Sequence, residues 1–130
     1  MDEKNCCIIG DRDISAGRAD FIKQELRREI EEAIAEGYTR FISGFGKGAE
    51  LYFAEIVAEK RLENKDIRLE AAIPCRSRLA SLMRNDAARR LLLSCTEIGV
   101  YGEKCTPDAY LRRDSYLART CGRMIAIYDR

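Results

Sequence analysis

The chain has 130 residues, a length typical of one domain with a single hydrophobic core. Its 23 lysine and arginine residues are balanced by 22 aspartate and glutamate residues, and a net charge of +1 argues against an overall field that attracts nucleic acid or an anionic membrane. No apolar stretch approaches the roughly 20 residues that span a bilayer, and no signal-type block follows the charged start MDEKN, so we expect a cytoplasmic protein without membrane contact.

Strand and helix patterns alternate through the first half of the chain. Residues 6–10, CCIIG, form a short apolar run typical of a buried strand. Over residues 18–36 apolar side chains recur at helical spacing, which predicts an amphipathic helix that Gly37 ends. YTRFIS, residues 38–43, predicts a second strand, and residues 49–62 predict a second helix because they are rich in Ala, Leu and Glu.

The second half of the chain continues the alternation. Residues 67–74, IRLEAAIP, alternate apolar residues with Arg68 and Glu70, which predicts a third strand with one side exposed to water at its start. Leucines and a methionine over residues 79–91 indicate one further helical stretch. TEIGVY, residues 96–101, predicts a short fourth strand.

The last two elements complete the fold prediction. Thr106 and Pro107 form an N-cap and first-turn pair, so a helix should run from there to about residue 121. RMIAIYD, residues 123–129, predicts a fifth strand. Five strands alternating with four helical stretches indicate an α/β, Rossmann-like three-layer sandwich with a mostly parallel sheet. Because the first and last strands are the most continuously apolar, we place them side by side and expect the order 4-3-2-1-5, with 3-2-1-4-5 as the alternative.

The six cysteines show no C-x-x-C spacing and lie in or beside apolar runs, and the chain has no histidine. We therefore expect small, reduced core residues of a cytosolic protein and no metal site. The six are Cys6, Cys7, Cys75, Cys95, Cys105 and Cys121.

The loops that follow the strands are the candidate site. In an open parallel sheet the loops at the carboxyl ends of the strands line a common crevice. Residues 10–13, 43–48 and 74–78, together with Asp129, occupy such positions in the predicted fold. We expect these residues on one rim of the sheet.

Three glycines in one of these loops suggest anion binding. Gly44, Gly46 and Gly48 lie between a predicted strand and a predicted helix start, where missing Cβ atoms let backbone N–H groups approach a phosphate. The helix dipole favours negative charge there, and Lys47 could add a positive charge. The alternative is that the glycines only relieve a tight turn, because an isolated G-x-G-x-G pattern is a weak signal.

Two further groups could contribute to a site at this rim. Glu50, in the first turn of the second helix, either complements the helix dipole, accepts hydrogen bonds from ribose hydroxyls or acts as a carboxylate base. Arg113, Tyr116 and Thr120 share one face of the last helix, where they either approach a ligand or remain a solvated arginine and a packed tyrosine.

Four segments in chain order carry a family resemblance: CCIIGDR, FISGFGKGAELYFAEIV, LEAAIPC and YLRRDSYLARTCGRMIAIYD. In this order and spacing they resemble the successive motifs of the YpsA-like family. That family belongs to the SLOG superfamily of Rossmann-like proteins, with DprA and the LOG phosphoribohydrolases. The resemblance covers nearly the whole chain and implies one SLOG domain over residues 1–130 of a prokaryotic, cytoplasmic protein.

The match to the individual motifs is uneven. Gly10 and Arg12 match the first motif, whereas Asp11 stands where the family usually has histidine. The second motif matches best, with Tyr52 in place of a common tryptophan; its matching residues are Ser43, Gly44, Gly48 and Glu50. In the last motif, Arg-Asn-x-Tyr in the family, this chain has Arg113, Asp114, Ser115 and Tyr116.

The resemblance implies a protein that binds a nucleotide or a nucleotide derivative such as NAD or ADP-ribose, with phosphates over residues 44–48. Occupancy would then signal to a protein partner. The residues expected to bind are Gly10, Arg12, Ser43, Gly44, Phe45, Gly46, Lys47, Gly48, Glu50, Pro74, Arg113 and Tyr116.

Two other functions remain open. In a LOG-like hydrolase of a nucleoside monophosphate, Glu50 would be the acid/base and Arg113 would orient the phosphate. Relatives usually continue after the YD pair with a second glycine loop, which carries the catalytic glutamate in LOG enzymes, whereas this chain ends at Arg130, so we rank hydrolysis below binding. The third function is a ligand-free scaffold that forms a homo-oligomer. We do not expect a nucleic-acid partner, because the net charge is balanced and no basic run is present.

Overall fold

The computed structural model describes residues 4–128, which form an α/β fold. The strands are β1 (Asn5–Gly10), β2 (Arg40–Ser43), β3 (Arg68–Ile73), β4 (Glu97–Val100) and β5 (Arg123–Ile127). The helices are α1 (Ala19–Ala35), α2 (Ala49–Glu63), α3 (Arg76–Met83), α4 (Asp86–Leu93) and α5 (Pro107–Thr120), and a short 3-10 turn over Ala16–Arg18 precedes α1. Asp129, which the sequence places on the rim of the sheet, lies outside the described residues.

The five strands form one parallel sheet in the order β4-β3-β2-β1-β5. In the register, Cys7 of β1 lies beside Ile42 of β2 on one side and Met124 of β5 on the other. The predicted Rossmann-like sandwich and its first-choice strand order are confirmed, and the alternative 3-2-1-4-5 order is wrong. β5 pairs with β1 but lies at the edge of the sheet, where Met124 is 42% exposed.

The two faces of the sheet are covered unequally. Because side chains alternate along a strand, Cys6 and Ile8 of β1 face the main core with α1, α2, α3 and α4, whereas Cys7 faces the smaller cluster beneath α5. Within residues 4–128, α5 is the only helix on the second face, and its buried residues are Ala109 and Leu117. The second layer of helices is therefore thin.

Helix boundaries follow local capping chemistry. Gly37, with φ at +94°, follows the end of α1, and the Thr106 hydroxyl accepts a hydrogen bond from the Ala109 amide at the start of α5, as predicted. The single helical stretch expected over residues 79–91 is instead two helices. Asn85 breaks it, since its side chain accepts a hydrogen bond from the Ala88 amide and so caps α4.

The third strand carries a buried charge that contradicts its predicted wet side. Glu70 is only 3% exposed and forms an ion pair with Arg40 of the neighbouring strand. Arg40 also donates to the Tyr116 hydroxyl at 2.9 Å and lies 3.4 Å from Glu97. The predicted wet side was wrong at Glu70, because α5 covers this part of β3 and its Tyr116 lies over the ion pair. At the start of the strand the prediction is confirmed, since the side chain of Arg68 is 38% exposed.

Four of the six cysteines are paired. Cys7 is bonded to Cys121, and Cys75 to Cys105, with Cα–Cα distances of 5.9 Å and 5.0 Å. The expectation that all six are reduced core residues was wrong for these four, because the fold brings together positions separated by 114 and 30 residues. Cys6 and Cys95 remain thiols.

The two remaining thiols predict a loss of stability at alkaline pH. Burial raises the pKa of both Cys6 and Cys95 from 9.0 to about 12. The unfolded chain therefore ionises first, so the stabilisation present below pH 9 is lost as the pH rises toward 12. We expect the free energy of unfolding to fall by up to about 1.4 kcal/mol per pH unit for each thiol in this window.

Urea unfolding at a series of pH values measures this slope. The variant Cys6→Ala should retain only the contribution of Cys95 and show a shallower fall than the wild-type protein. Equal slopes for the two proteins would contradict the assignment to Cys6.

None of the helices within residues 4–128 is long and apolar enough to cross a bilayer. In the same part of the chain, no group of three or more cysteine, aspartate or glutamate side chains is arranged to hold a metal ion.

Candidate functional site

The loop between β2 and α2 is closed by its own hydrogen bonds. The Ser43 hydroxyl donates to the carbonyl of Glu50 at 2.9 Å and accepts from the amide of Phe45 at 3.1 Å. The amide of Ala49 donates to the carbonyl of Asp11 at 3.3 Å, which ties this loop to the one after β1. Two of the main-chain donors in this region are therefore used inside the protein.

The carboxylate of Glu50 uses a third donor. Its Oε1 accepts a hydrogen bond from the amide of Gly46 at 3.0 Å. A Cβ atom on Gly46 would lie 2.9 Å from the same oxygen. The carboxylate of Glu50 can approach this closely because residue 46 has no side chain. A negative group already occupies the position at which the glycine pattern predicts an external anion.

A small pocket lies beside this carboxylate, at the carboxyl ends of β1, β2 and β3 and against the first half of α5. Its volume is about 60 Å³. We call it the arginine pocket, and it is lined by Arg12, Gly44, Gly46, Glu50, Pro74, Arg78, Tyr110 and Arg113. Six of these eight residues were predicted to bind; Arg78 was placed on the rim, as the last residue of segment 74–78, without being named as a binding residue, and Tyr110 was not predicted.

Three guanidinium groups and one carboxylate give the arginine pocket an excess of positive charge. The side chain of Arg113 is only 13% exposed. Its Nε donates to Asp114 at 3.1 Å, and its guanidinium carbon lies 5.4 Å from the centre of the Tyr110 ring. Arg78 donates through Nη2 to the carbonyl of Phe45 at 3.0 Å, and Arg12 is exposed at the mouth.

Gly44 sets how closely the charged groups approach one another. A Cβ atom on Gly44 would lie 2.6 Å from Nη1 of Arg113 and 2.6 Å from Oε1 of Glu50. Both groups therefore converge above the backbone of Gly44, in space that any side chain at this position would fill. The pocket has its present shape because residue 44 is glycine.

A larger cavity adjoins the arginine pocket. Its volume is about 320 Å³, and it lies between α2, α3 and α4. Leu51, Leu82 and Leu91 supply apolar surface, and Lys47 and Arg78 supply positive charge. We call it the leucine cavity. Arg78 lines both spaces and so forms the wall between them.

Six of the predicted site residues do not line the arginine pocket. Gly10 lies where β1 approaches α2, since a Cβ there would be 2.6 Å from that of Ala49. Ser43 and Phe45 are fully buried, and Gly48 opens α2. Lys47 is exposed and lies 3.5 Å from Asp13. Their part in binding stays a prediction.

Tyr116, the sixth, lies on the sheet face beneath α5 rather than in the arginine pocket. Its hydroxyl accepts from Arg40, and its ring lies 5.5 Å from that of Tyr101. Burial raises the pKa of Tyr116 to about 12, and its hydrogen bond with Glu70 acts in the same direction. This tyrosine completes the buried ion pair.

Of the two lining residues that were not named as binding residues, Tyr110 was missed although it had a detectable signal, and Arg78 already lay in the predicted rim. Tyr110 precedes Arg113 by three residues, and helix positions three apart share a face. Arg78 is the last residue of segment 74–78, which the sequence already placed on the rim, and it lies in the first turn of α3. The position of Tyr110 follows from helical geometry once the start of α5 is known.

No family model matches this chain, and a search of curated proteins found no match.

Proposed function

We propose that this chain binds a phosphorylated small molecule, a nucleotide or a nucleotide derivative such as NAD or ADP-ribose, with a phosphate in the arginine pocket. The observation that carries the proposal is the convergence of three guanidinium groups on a small space at the carboxyl ends of the strands. Crevices at this end of parallel sheets are the usual ligand sites of such folds.

The chemistry of arginine suits this ligand. A guanidinium group offers several N–H donors in a planar fork that matches phosphate oxygens, and such charge-assisted bonds are among the stronger hydrogen bonds. Arg113 is held in place by Asp114 and Tyr110, so little side-chain freedom is left to lose on binding. Arg12, at the exposed mouth, would close over the bound group.

The carboxylate of Glu50 limits where a phosphate can bind in the arginine pocket. Its carboxylate lies in the pocket and would repel a phosphate that entered while both groups were charged. The phosphate therefore binds toward Arg113 and Arg78, while Glu50 keeps the Gly46 amide or turns toward a ribose hydroxyl. A carboxylate accepts hydroxyl hydrogen bonds readily, as it does in other nucleotide sites.

The volumes of the arginine pocket and the leucine cavity indicate which part of the ligand each would hold. A pocket of about 60 Å³ is far smaller than the roughly 300–1,000 Å³ of ordinary ligand sites, so it would take only the phosphate. The leucine cavity, at about 320 Å³, reaches that range and would take the remaining part of the ligand against Leu51, Leu82 and Leu91. Arg78, on the shared wall, would contact both parts.

The proposed family, cellular location and partners rest on the sequence motifs. We propose membership of the YpsA-like family of the SLOG superfamily, a cytoplasmic location in a prokaryote, and a protein partner or a homo-oligomer that responds to ligand. Disulfides are rare in a reducing cytosol unless they take part in redox chemistry. A cytoplasmic location therefore implies that the two pairs are either reduced there or take part in redox chemistry.

A second candidate is hydrolysis of the N-glycosidic bond of a nucleoside monophosphate. It is favoured by one observation: Oε1 of Glu50 and Nη1 of Arg113 each lie 2.6 Å from the same point above Gly44. With a phosphate on Arg113, the carboxylate could activate water against the sugar carbon while the base leaves with a proton. Release of adenine from AMP, absent in Glu50→Gln, would establish this activity.

Arg113→Met should weaken binding strongly. We expect the dissociation constant for ADP-ribose to rise by about 10- to 100-fold, because a hydrogen bond to a charged group contributes about 1.5–3 kcal/mol. Calorimetric titration measures the constant directly. The matched control is Arg119→Met, which removes an exposed arginine of the same helix outside the arginine pocket and should leave binding unchanged.

The same titration with NAD, AMP and inorganic phosphate separates the alternatives. Binding of the nucleotides but not of free phosphate would indicate that the leucine cavity contributes. If none of the four ligands binds, or if Arg113→Met and Arg119→Met behave alike, the proposed site is wrong and a ligand-free scaffold becomes the better explanation.

A further inference from the structure

Helix α5 is anchored mainly at its ends. Of its 14 residues, only Ala109 and Leu117 are buried against the rest of the protein. A disulfide lies at each end: Cys105 precedes the helix and is bonded to Cys75, and Cys121 follows it and is bonded to Cys7. Packing that buries so few side chains gives weak local stability, so the covalent links hold this helix in place.

The link at the start of α5 joins the two walls of the arginine pocket. Cys75 directly follows Pro74 and is the N-cap residue of α3, which carries Arg78. Cys105 lies just before the N-cap of α5, which carries Tyr110 and Arg113. The bond between the two cysteines therefore ties the wall with Arg78 to the wall with Arg113.

We infer that the Cys75–Cys105 disulfide is a redox switch for the arginine pocket, in which reduction releases the first half of α5 and lowers ligand affinity. The effect on α5 follows from the fold alone. The effect on ligand binding also rests on the proposed function.

The chemistry needs an external dithiol, which is the reductant. Cys105 is exposed whereas Cys75 is fully buried, so the thiolate of the reductant attacks the sulfur of Cys105. The S–S bond breaks, and Cys75 leaves as a thiolate at the N-terminus of α3, where the helix dipole stabilises it before it takes a proton. The second thiol of the reductant then releases Cys105 and becomes oxidised to a disulfide. Two electrons and two protons have passed to the protein.

After reduction, the described residues still connect the two walls through weaker contacts. The amide of Arg76 donates to the carbonyl of Gly102 at 2.9 Å, and the exposed side chains of Arg76 and Glu103 pair at 2.9 Å. Exposed ion pairs contribute little, so the start of α5 should open more often. If the fraction of molecules in which α5 is packed in its place falls to about one tenth, the apparent dissociation constant for the ligand rises about tenfold.

Two double variants of the full chain isolate the switch. In Cys7→Ser/Cys121→Ser, dithiothreitol can act only on the Cys75–Cys105 pair; in Cys75→Ser/Cys105→Ser, it can act only on the other pair. Hydrogen exchange of the amides of residues 109–113, measured without ligand, should accelerate about tenfold on reduction in the first variant. The second should exchange fast before and after reduction. In the wild-type protein, where both pairs can be reduced, exchange in this region should also accelerate on reduction.

Binding of ADP-ribose is then measured in both redox states. A tenfold weaker constant in the reduced protein supports the switch, and equal constants overturn it. Unchanged exchange on reduction, or Cys75 and Cys105 found as thiols that no oxidant can pair, also overturns it. If exchange accelerates but ADP-ribose binds neither state, the release of α5 stands while the proposed function and the effect on binding are both disproved.

Discussion

Replacing Arg40 with methionine is expected to lower the free energy of unfolding by about 3–5 kcal/mol, because the substitution leaves the carboxylate of Glu70 buried without its cation. Glu70 is 3% exposed, and the side chain of Arg40 is 15% exposed, so water cannot replace the lost partner. The change also removes the donor to the Tyr116 hydroxyl. Urea unfolding followed by circular dichroism measures the loss.

Two comparison variants separate the buried charge from loss of packing. In Arg40→Met/Glu70→Leu both charges are gone, and we expect stability within about 1–2 kcal/mol of the wild-type protein, since apolar replacements for buried ion pairs are often neutral. Arg27 pairs with Glu59 at 2.9 Å where both side chains are exposed, and Arg27→Met should cost no more than about 1 kcal/mol. If Arg40→Met costs no more than Arg27→Met, the Glu70 pair does not matter for stability.

Substitution of Gly48 by alanine should cost about 3 kcal/mol. Gly48 has φ at +84° and ψ at −126°, a conformation in which a residue with a side chain is strained by about 1–3 kcal/mol. An added Cβ would also lie 2.6 Å from the carbonyl oxygens of both Asp11 and Arg12, and these are backbone atoms that cannot turn aside. The loop after β1 would have to move, and Arg12 with it.

Gly17→Ala is the matched control for this substitution. Nothing lies within 4 Å of a Cβ added at Gly17, so the change should be neutral or stabilising by less than about 1 kcal/mol. Urea unfolding of the two variants and titration with ADP-ribose test stability and binding together. Wild-type stability for Gly48→Ala would show that the loops after β1 and β2 are not packed as described.

Much of the fold could be predicted because its signals are local. The apolar run of β1, the glycine after α1 and the Thr106–Pro107 pair each act within a few residues, and all three appear as expected. The break before α4 was also local, since Asn85 and Asp86 form an N-cap and an acidic first turn, but the apolar spacing across the break hid it.

The features that escaped prediction depend on neighbours distant in sequence. From the sequence alone, Glu70 is predicted to be exposed to water. Its partner Arg40 lies beside it only because β2 pairs with β3. The cysteine pairs have no spacing signal, because contact between distant segments creates them. At the candidate site, the glycine pattern indicated a place for negative charge but could not indicate that Glu50 of the same chain would occupy it.

The pairing of β1 with β5 bears on how the protein folds. Cys6 lies beside Arg123, so the inner strand of the sheet obtains one of its two neighbours from the opposite end of the described chain. When the Cys7–Cys121 bond is reduced, β5 is no longer tethered to β1, so contacts this distant form late and until then the apolar edge of β1 is open to other chains. Refolding of the reduced chain should therefore be slow and concentration-dependent, with aggregation competing most strongly before β5 joins the sheet.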